Sequence, residues 1–101
     1  MIGEVFRIEL QACSPERNHW RFYLIEAGRD LLGDLVVKVH YGRIGGKGQT
    51  KTYLVADAEA GAKLVRACLK RRRSAPKRIG VAYQVRTKFD PDCWTMESEG
   101  L

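Results

Sequence analysis

Leu35-Val36-Val37-Lys38-Val39-His40-Tyr41, then Gly42-Arg43-Ile44-Gly45-Gly46-Lys47-Gly48, then Gln49-Thr50-Lys51-Thr52-Tyr53-Leu54-Val55, is the stretch on which the fold turns. Its first third alternates with a period of two: Leu35, Val37, Val39 and Tyr41 fall on one side, and Val36, Lys38 and His40 on the other. Its last third is rich in Thr and Tyr, which suit a strand. Four glycines, Gly42, Gly45, Gly46 and Gly48, lie between the two runs, so the stretch reads as a hairpin with a glycine-rich tip. Arg43, Lys47 and Lys51 add positive charge there, and Tyr41 offers a flat ring. Backbone amides without a side chain in the way can approach a ligand closely, so this loop has the chemistry to meet an anionic partner.

The flanking sequence extends the sheet in both directions. Phe6, Ile8, Leu10 and Ala12 alternate with Arg7, Glu9 and Gln11, marking a first strand that ends at Ser14-Pro15-Glu16-Arg17-Asn18. A second runs from about Trp20 to Glu26 and stops at the turn residues Gly28-Arg29-Asp30 and Gly33-Asp34. After the hairpin, Asp57 as N-cap and Glu59 in the first turn open a helix that continues to Ser74-Ala75-Pro76. Gly61, Leu64 and Cys68 with their neighbours form its apolar stripe; Arg66, Lys70, Arg71, Arg72 and Arg73 fall outside the stripe or at the C-terminal end, where cations suit the helix dipole. A last strand is predicted from Gly80 to Lys88, with Val81, Tyr83 and Val85 on its inward side. Strands interrupted by one helix, without alternating strand-helix units, predict an α+β fold: an antiparallel β-sheet of about five strands with one α-helix packed on one face.

Composition narrows the function. The 101 residues suffice for one domain with a modest core, which favours a small binding module over an enzyme with a deep cleft. We assign residues 1–88 to the domain and residues 89–101 to a loose acidic tail. No apolar run is long enough to span a bilayer and the N-terminus lacks the pattern of a signal peptide, so a cytoplasmic location is expected. Cys13, Cys68 and Cys93 are odd in number, widely spaced and without a Cys-x-x-Cys pair; we expect reduced thiols rather than a disulfide framework or a metal site. No nucleophile, base and acid arrangement has a recognisable spacing, so neither catalysis nor a cofactor is expected, and Asp30 and Asp34 belong to a turn. The two histidines are assigned to packing or solvent. A phosphate-binding P-loop is excluded, because Gly48 follows Lys47 and a strand comes next.

Charge is the sharper clue. Residues 1–59 carry eight Lys/Arg and eight Asp/Glu, residues 60–89 carry ten Lys/Arg and no acid, and the last twelve residues carry four acids and no base, which together return the net +6. Confining the positive charge to one segment is what a polyanion-binding face requires, and a solvated helix surface would show it as well.

Three blocks of the chain, in order, resemble the WGR domain, a small module named for a Trp-Gly-Arg tripeptide and found in poly(ADP-ribose) polymerases and many bacterial proteins. The family loop, approximately Trp-Gly-Arg-(Val/Ile)-Gly-x-x-Gly-Gln-x-(Lys/Arg), is here Tyr41-Gly42-Arg43-Ile44-Gly45-Gly46-Lys47-Gly48-Gln49-Thr50-Lys51. Upstream, Asn18-His19-Trp20-Arg21-Phe22-Tyr23 is similar to the Asn-x-x-(Arg/Lys)-Phe-Tyr that opens the family's second strand. Downstream, the helix and Lys77-Arg78-Ile79-Gly80 with Tyr83 fall where the family has its single helix and a Lys…Gly-Tyr stretch. The likeness spans roughly residues 5 to 88, with Tyr41 replacing Trp and Val81-Ala82 splitting the Gly-Tyr pair.

The resemblance implies DNA binding, because in the polymerases this domain sits against a DNA end with its tryptophan on a terminal nucleotide. Carried over, that role falls to Tyr41, with Gly42 permitting close approach and Arg43 serving phosphate or domain contacts. The zinc fingers and catalytic domain of the polymerases have no counterpart in these residues, so polymer synthesis by this chain is not implied. The expected function is a non-enzymatic DNA-binding module that recognises the phosphate backbone at strand ends or nicks with little sequence specificity; the alternative is a protein-protein interaction module that docks an acidic partner. The candidate DNA-binding residues are Tyr41, Gly42, Arg43, Lys47, Gln49 and Lys51 in the hairpin, and Lys70, Arg71 and Arg73 at the helix end. Two of them have a second meaning: strand alternation also makes Tyr41 a core residue, and Arg43 could instead bridge a carboxylate and lock the hairpin.

Overall fold

The computed structural model of the protein describes residues 2–75, 77 and 80–96. Strands β1 (Ile2–Ser14), β2 (His19–Arg29), β3 (Leu35–Arg43) and β4 (Gln49–Val55) are followed by helix α1 (Ala58–Arg73) and strand β5 (Gln84–Phe89). They form one antiparallel five-stranded sheet in the order β4-β3-β2-β1-β5. The first four strands are sequential neighbours; the chain then crosses one face as α1 and returns to pair β5 with the free side of β1. This is the α+β arrangement that the alternation and the single capped helix predict. No helix among the described residues is long and apolar enough to cross a membrane.

Each connection has a local cause. Pro15–Arg17 form a 3-10 turn closed by Asn18 in the left-handed region, its N–H donating to the Pro15 carbonyl. The Asp30 carboxylate accepts from the Leu32 and Asp34 amides, both at 2.9 Å, and so builds the β2–β3 turn. Asp57 caps α1 by accepting from the Ala60 amide at 2.8 Å.

The core lies between the sheet and α1. Phe6, Ile8 and Leu10 of β1, Tyr23, Ile25 and Ala27 of β2, and Leu35, Val37 and Val39 of β3 present one face, against which Ala62 and Val65 of the helix are buried. The opposite face mixes apolar and charged groups: Phe22 packs on His40, and Arg7 pairs with Glu26.

Three sequence expectations need correction. The last strand begins at Gln84, not Gly80. Gly80 has φ +76°, which turns the backbone out of an extended path, and Val81 is drawn into the core before pairing with β1 starts. The chain after Lys88 is not loose as far as the structure describes it. Trp94 is only 4% exposed and stacks on Phe6 with ring centroids 5.7 Å apart, and the Asp90 carboxylate accepts from the Trp94 amide, the Thr95 amide and the Thr95 hydroxyl. Arg66 donates to the Trp94 carbonyl, tying this strap to the helix; residues 97–101 of the expected tail lie outside the described residues. Finally, Arg72 is not outside the apolar stripe. It follows Gly61, Val65, Cys68 and Leu69 at helical spacing and is half-buried.

Candidate nucleic-acid interface

Directly paired residues share a face of the sheet, so the register fixes the neighbours of the Tyr41 ring. One row across the sheet reads Gln49, Tyr41, Tyr23, Leu10, Val85; the row toward the hairpin tip carries Arg43, Arg21 and Ala12; the row on the other side carries Lys51, Val39, Ile25, Ile8 and Lys88. These are the rows that α1 faces. The hairpin and the helix end therefore contribute to one surface.

Tyr41 does both things that its position suggests. Its half-buried ring packs on the core and lies 6.2 Å from that of Tyr23, while its hydroxyl donates to Gln49 Oε1 at 3.0 Å. The remaining ring surface lines two depressions. The first, of about 250 Å3, lies between Tyr41, Gly42 and Tyr83 and is bordered by His19, Arg21 and Arg72. The second, of about 370 Å3, lies between Tyr41 and Tyr23 and is bordered by Lys51, Arg71 and Arg72. Neither lining includes an Asp or Glu.

Arg72 joins the two. Its guanidinium lies over the Tyr23 ring, 4.5 Å from the centroid, and 5.9 Å from the Tyr83 centroid. Burial pushes the Tyr23 phenol well above the usual tyrosine range, helped by its hydrogen bond to Cys68 and opposed by the charge of Arg72. Tyr23 therefore stays neutral and presents an apolar ring to the cation. Arg21 and Arg43 face each other directly across β2 and β3, a like-charge pairing that costs stability unless an anion lies between or beside them. Arg43 Nη2 reaches only Asn18 Oδ1, at 3.4 Å, and no carboxylate among the described residues pairs with it. The carboxylate bridge considered for Arg43 is thus absent among the described residues.

The geometry sorts the predicted site residues. Tyr41, Gly42, Lys51 and Arg71 come together around the two depressions, with Gln49 holding the Tyr41 hydroxyl. Arg73 borders the adjoining cleft between α1 and β5. Lys47 is exposed at the hairpin tip, and Lys70 is exposed on the helix; neither borders the two depressions or this cleft. The candidate surface also takes in Arg21, Tyr23 and Tyr83, which local sequence does not single out, and Arg72, which it marks as one of the helix-end cations. The helical period from Gly61 through Val65 and Cys68 to Arg72 was a signal for the last; the others depend on strand pairing.

The glycine loop holds this arrangement by close backbone packing. Gly42 and Gly48 lie against each other: a Cβ on Gly42 would sit 2.6 Å from the Gly48 Cα. One on Gly48, at φ +70°, would sit 2.6 Å from the Tyr41 carbonyl oxygen and 2.9 Å from the Phe22 ring.

Comparison with known proteins agrees with this architecture. A protein of Sinorhizobium fredii described as uncharacterized is 29% identical over 99 residues, a match covering 98% of this chain and 46% of the relative. The chain thus spans about half the length of the curated relative it matches. No solved structure matches it. The family model of the WGR domain matches residues 6–77, which include most of β1, all of β2 to β4, the glycine loop and α1. WGR domains are binding modules of the nucleic-acid-binding kind rather than catalysts. By the extent of that match, the chain belongs to the WGR domain family.

Proposed function

We propose that this chain is a non-enzymatic DNA-binding module that holds the phosphate backbone at strand ends or nicks, with little sequence specificity, and that it works in the cytoplasm. One observation carries the reading. Among the described residues, two buried side-chain nitrogens have no hydrogen-bond partner, His19 Nε2 and Arg72 Nε, and both residues line the depression beside Tyr41. Unmet buried polar groups cost about 1–3 kcal/mol each; an arginine Nε can only donate, whereas a histidine Nε2 donates or accepts according to its tautomer. A phosphate in the depression would satisfy them once the two side chains turn toward it, and the neighbouring Arg21 supplies further charge. Tyr41 would pack on the terminal sugar or base, while Arg43, Lys47, Lys51, Lys70, Arg71 and Arg73 would neutralise flanking phosphates. No element among the described residues is an evident major-groove reader, which supports backbone recognition over base reading.

Fluorescence anisotropy with blunt, nicked and closed circular DNA at several salt concentrations tests this. If these cations engage roughly four phosphates between them, several sharing one, the log-log salt slope is about −3.6. Undetectable binding to all three DNAs at low salt would refute it.

A second reading draws on the outer edge of β4, which pairs only with β3 and exposes Leu54 by 70% and Tyr53 by 38%. Such an edge can accept a strand from a protein partner, with the nearby cations favouring an acidic one. If Arg43→Ala abolishes a protein interaction and leaves DNA affinity unaltered, this second reading is the correct one.

A further inference from the structure

We propose that the cleft between α1 and β5 receives an unpaired nucleotide that extends from the DNA end held beside Tyr41; this rests on the DNA-binding reading above. The cleft has a volume of about 410 Å3, within the roughly 300–1,000 Å3 range of small-ligand sites. It adjoins the Tyr41 depression, with Arg72 and Tyr83 lining both.

Its chemistry fits one nucleotide. The floor is apolar, formed by Ile8 and Leu10 of the sheet with Leu69 and Val85. Val85 is in the same row as Leu10 and Tyr23, yet it is 57% exposed, so this end of the core row lies open. The rim carries Arg66, Arg72, Arg73 and Lys88 and no acid, and none of the four is salt-bridged among the described residues. A base laid on the floor would cover the exposed apolar surface, with the Tyr83 ring beside it, and its phosphate would reach Arg73 or Lys88. A groove that combines cations with apolar and aromatic platforms is the arrangement that accepts single strands without reading their sequence.

The test compares duplexes of one sequence that are blunt, or carry a short unpaired thymidine extension at the 3′ or the 5′ end. One of the extended forms should bind roughly fivefold or more tightly than the blunt form, the low end of what one stacked base contributes. Lys88→Ala and Val85→Glu, both at exposed positions of β5, should erase that gain and keep blunt-end affinity within about twofold, as expected when the duplex itself is held elsewhere. If Val85→Glu fails to fold, Lys88→Ala carries the comparison. Equal affinity for blunt and extended DNA, or variants that weaken both alike, would overturn the cleft proposal and leave the DNA-binding reading standing. Loss of all DNA binding by the unmodified protein would overturn both. Thymidine monophosphate should not displace the extended duplex; displacement at matched concentration would make the cleft a free-nucleotide site and overturn the tethered strand.

Discussion

The Arg72 guanidinium lies 4.5 Å from the centroid of the Tyr23 ring, and this contact fixes the helix end over the centre of the sheet. It unites the hairpin half of the surface with the helix half, since Arg72 borders both depressions beside Tyr41 and the cleft toward β5. A cation held by aromatic faces keeps its charge available for a phosphate while its orientation is set in advance.

Arg72→Met should therefore separate stability from binding. The methionine stem keeps most of the packing on Tyr23 and removes the charge, so the unfolding free energy should change by no more than about 1 kcal/mol. DNA affinity should fall roughly tenfold or more, as expected for a lost charge-assisted hydrogen bond. Urea titration and anisotropy check the two parts; a variant that is clearly destabilised yet keeps its affinity would make Arg72 a packing residue only.

Trp94 is a structural anchor. Its burial and its stack on Phe6 make Trp94→Ala a large-to-small change in the core, with an expected loss of about 3–5 kcal/mol. Thermal unfolding should show a large drop in midpoint, and Trp94→Phe should recover much of it. A chain truncated after Phe89 should behave like Trp94→Ala.

Asp90 supplies an acid-dependent share of stability. Burial works to raise its pKa, but the hydrogen bonds from Thr95 and Trp94, with the charge of Lys88, outweigh it and hold the carboxyl below its ordinary value. A carboxylate whose folded pKa is depressed contributes fully above its unfolded pKa and loses that contribution as pH falls through the folded one. Stability of the strap should decline below the ordinary carboxylate range. Urea midpoints measured from neutral to acid pH should fall less steeply for Asp90→Asn than for the unmodified protein, and parallel curves would refute the role.

The glycine loop should tolerate change unevenly. Gly48→Ala forces a Cβ to within 2.6 Å of the Tyr41 carbonyl oxygen, so it should disturb the Tyr41 backbone and weaken both stability and DNA binding. Gly45→Ala meets open space and bears only the cost of its φ of +88°, about 1–2 kcal/mol. Equal effects of the two substitutions in thermal unfolding would show that close packing at Gly48 is unimportant.

Much of the fold was legible in local pattern. The alternation of Leu35 to Tyr41, the four loop glycines and the Asp57 cap each depend on residues within one or two turns of chain, and each element appears where that pattern puts it. The candidate site was legible in part. Residue type and motif single out Tyr41, Gly42, Lys51 and Arg71, which line its two depressions. Arg21 is not singled out, because nothing near it in the chain distinguishes it from any exposed strand arginine; only its pairing with Arg43 gives it meaning.

The sequence by itself determined the α+β class, the hairpin, the helix and the acid-free basic segment, since alternation, capping and charge are short-range properties of the chain. Only the tertiary structure decided that Arg72 points among tyrosines, that β5 begins at Gln84, and that Trp94 closes the core. These depend on which strands pair and on what the helix covers, contacts between residues tens of positions apart. Tyr41 shows the difference most plainly: alternation and motif gave it rival roles, and the register beside Tyr23 lets one ring pack on the core and still line the proposed site.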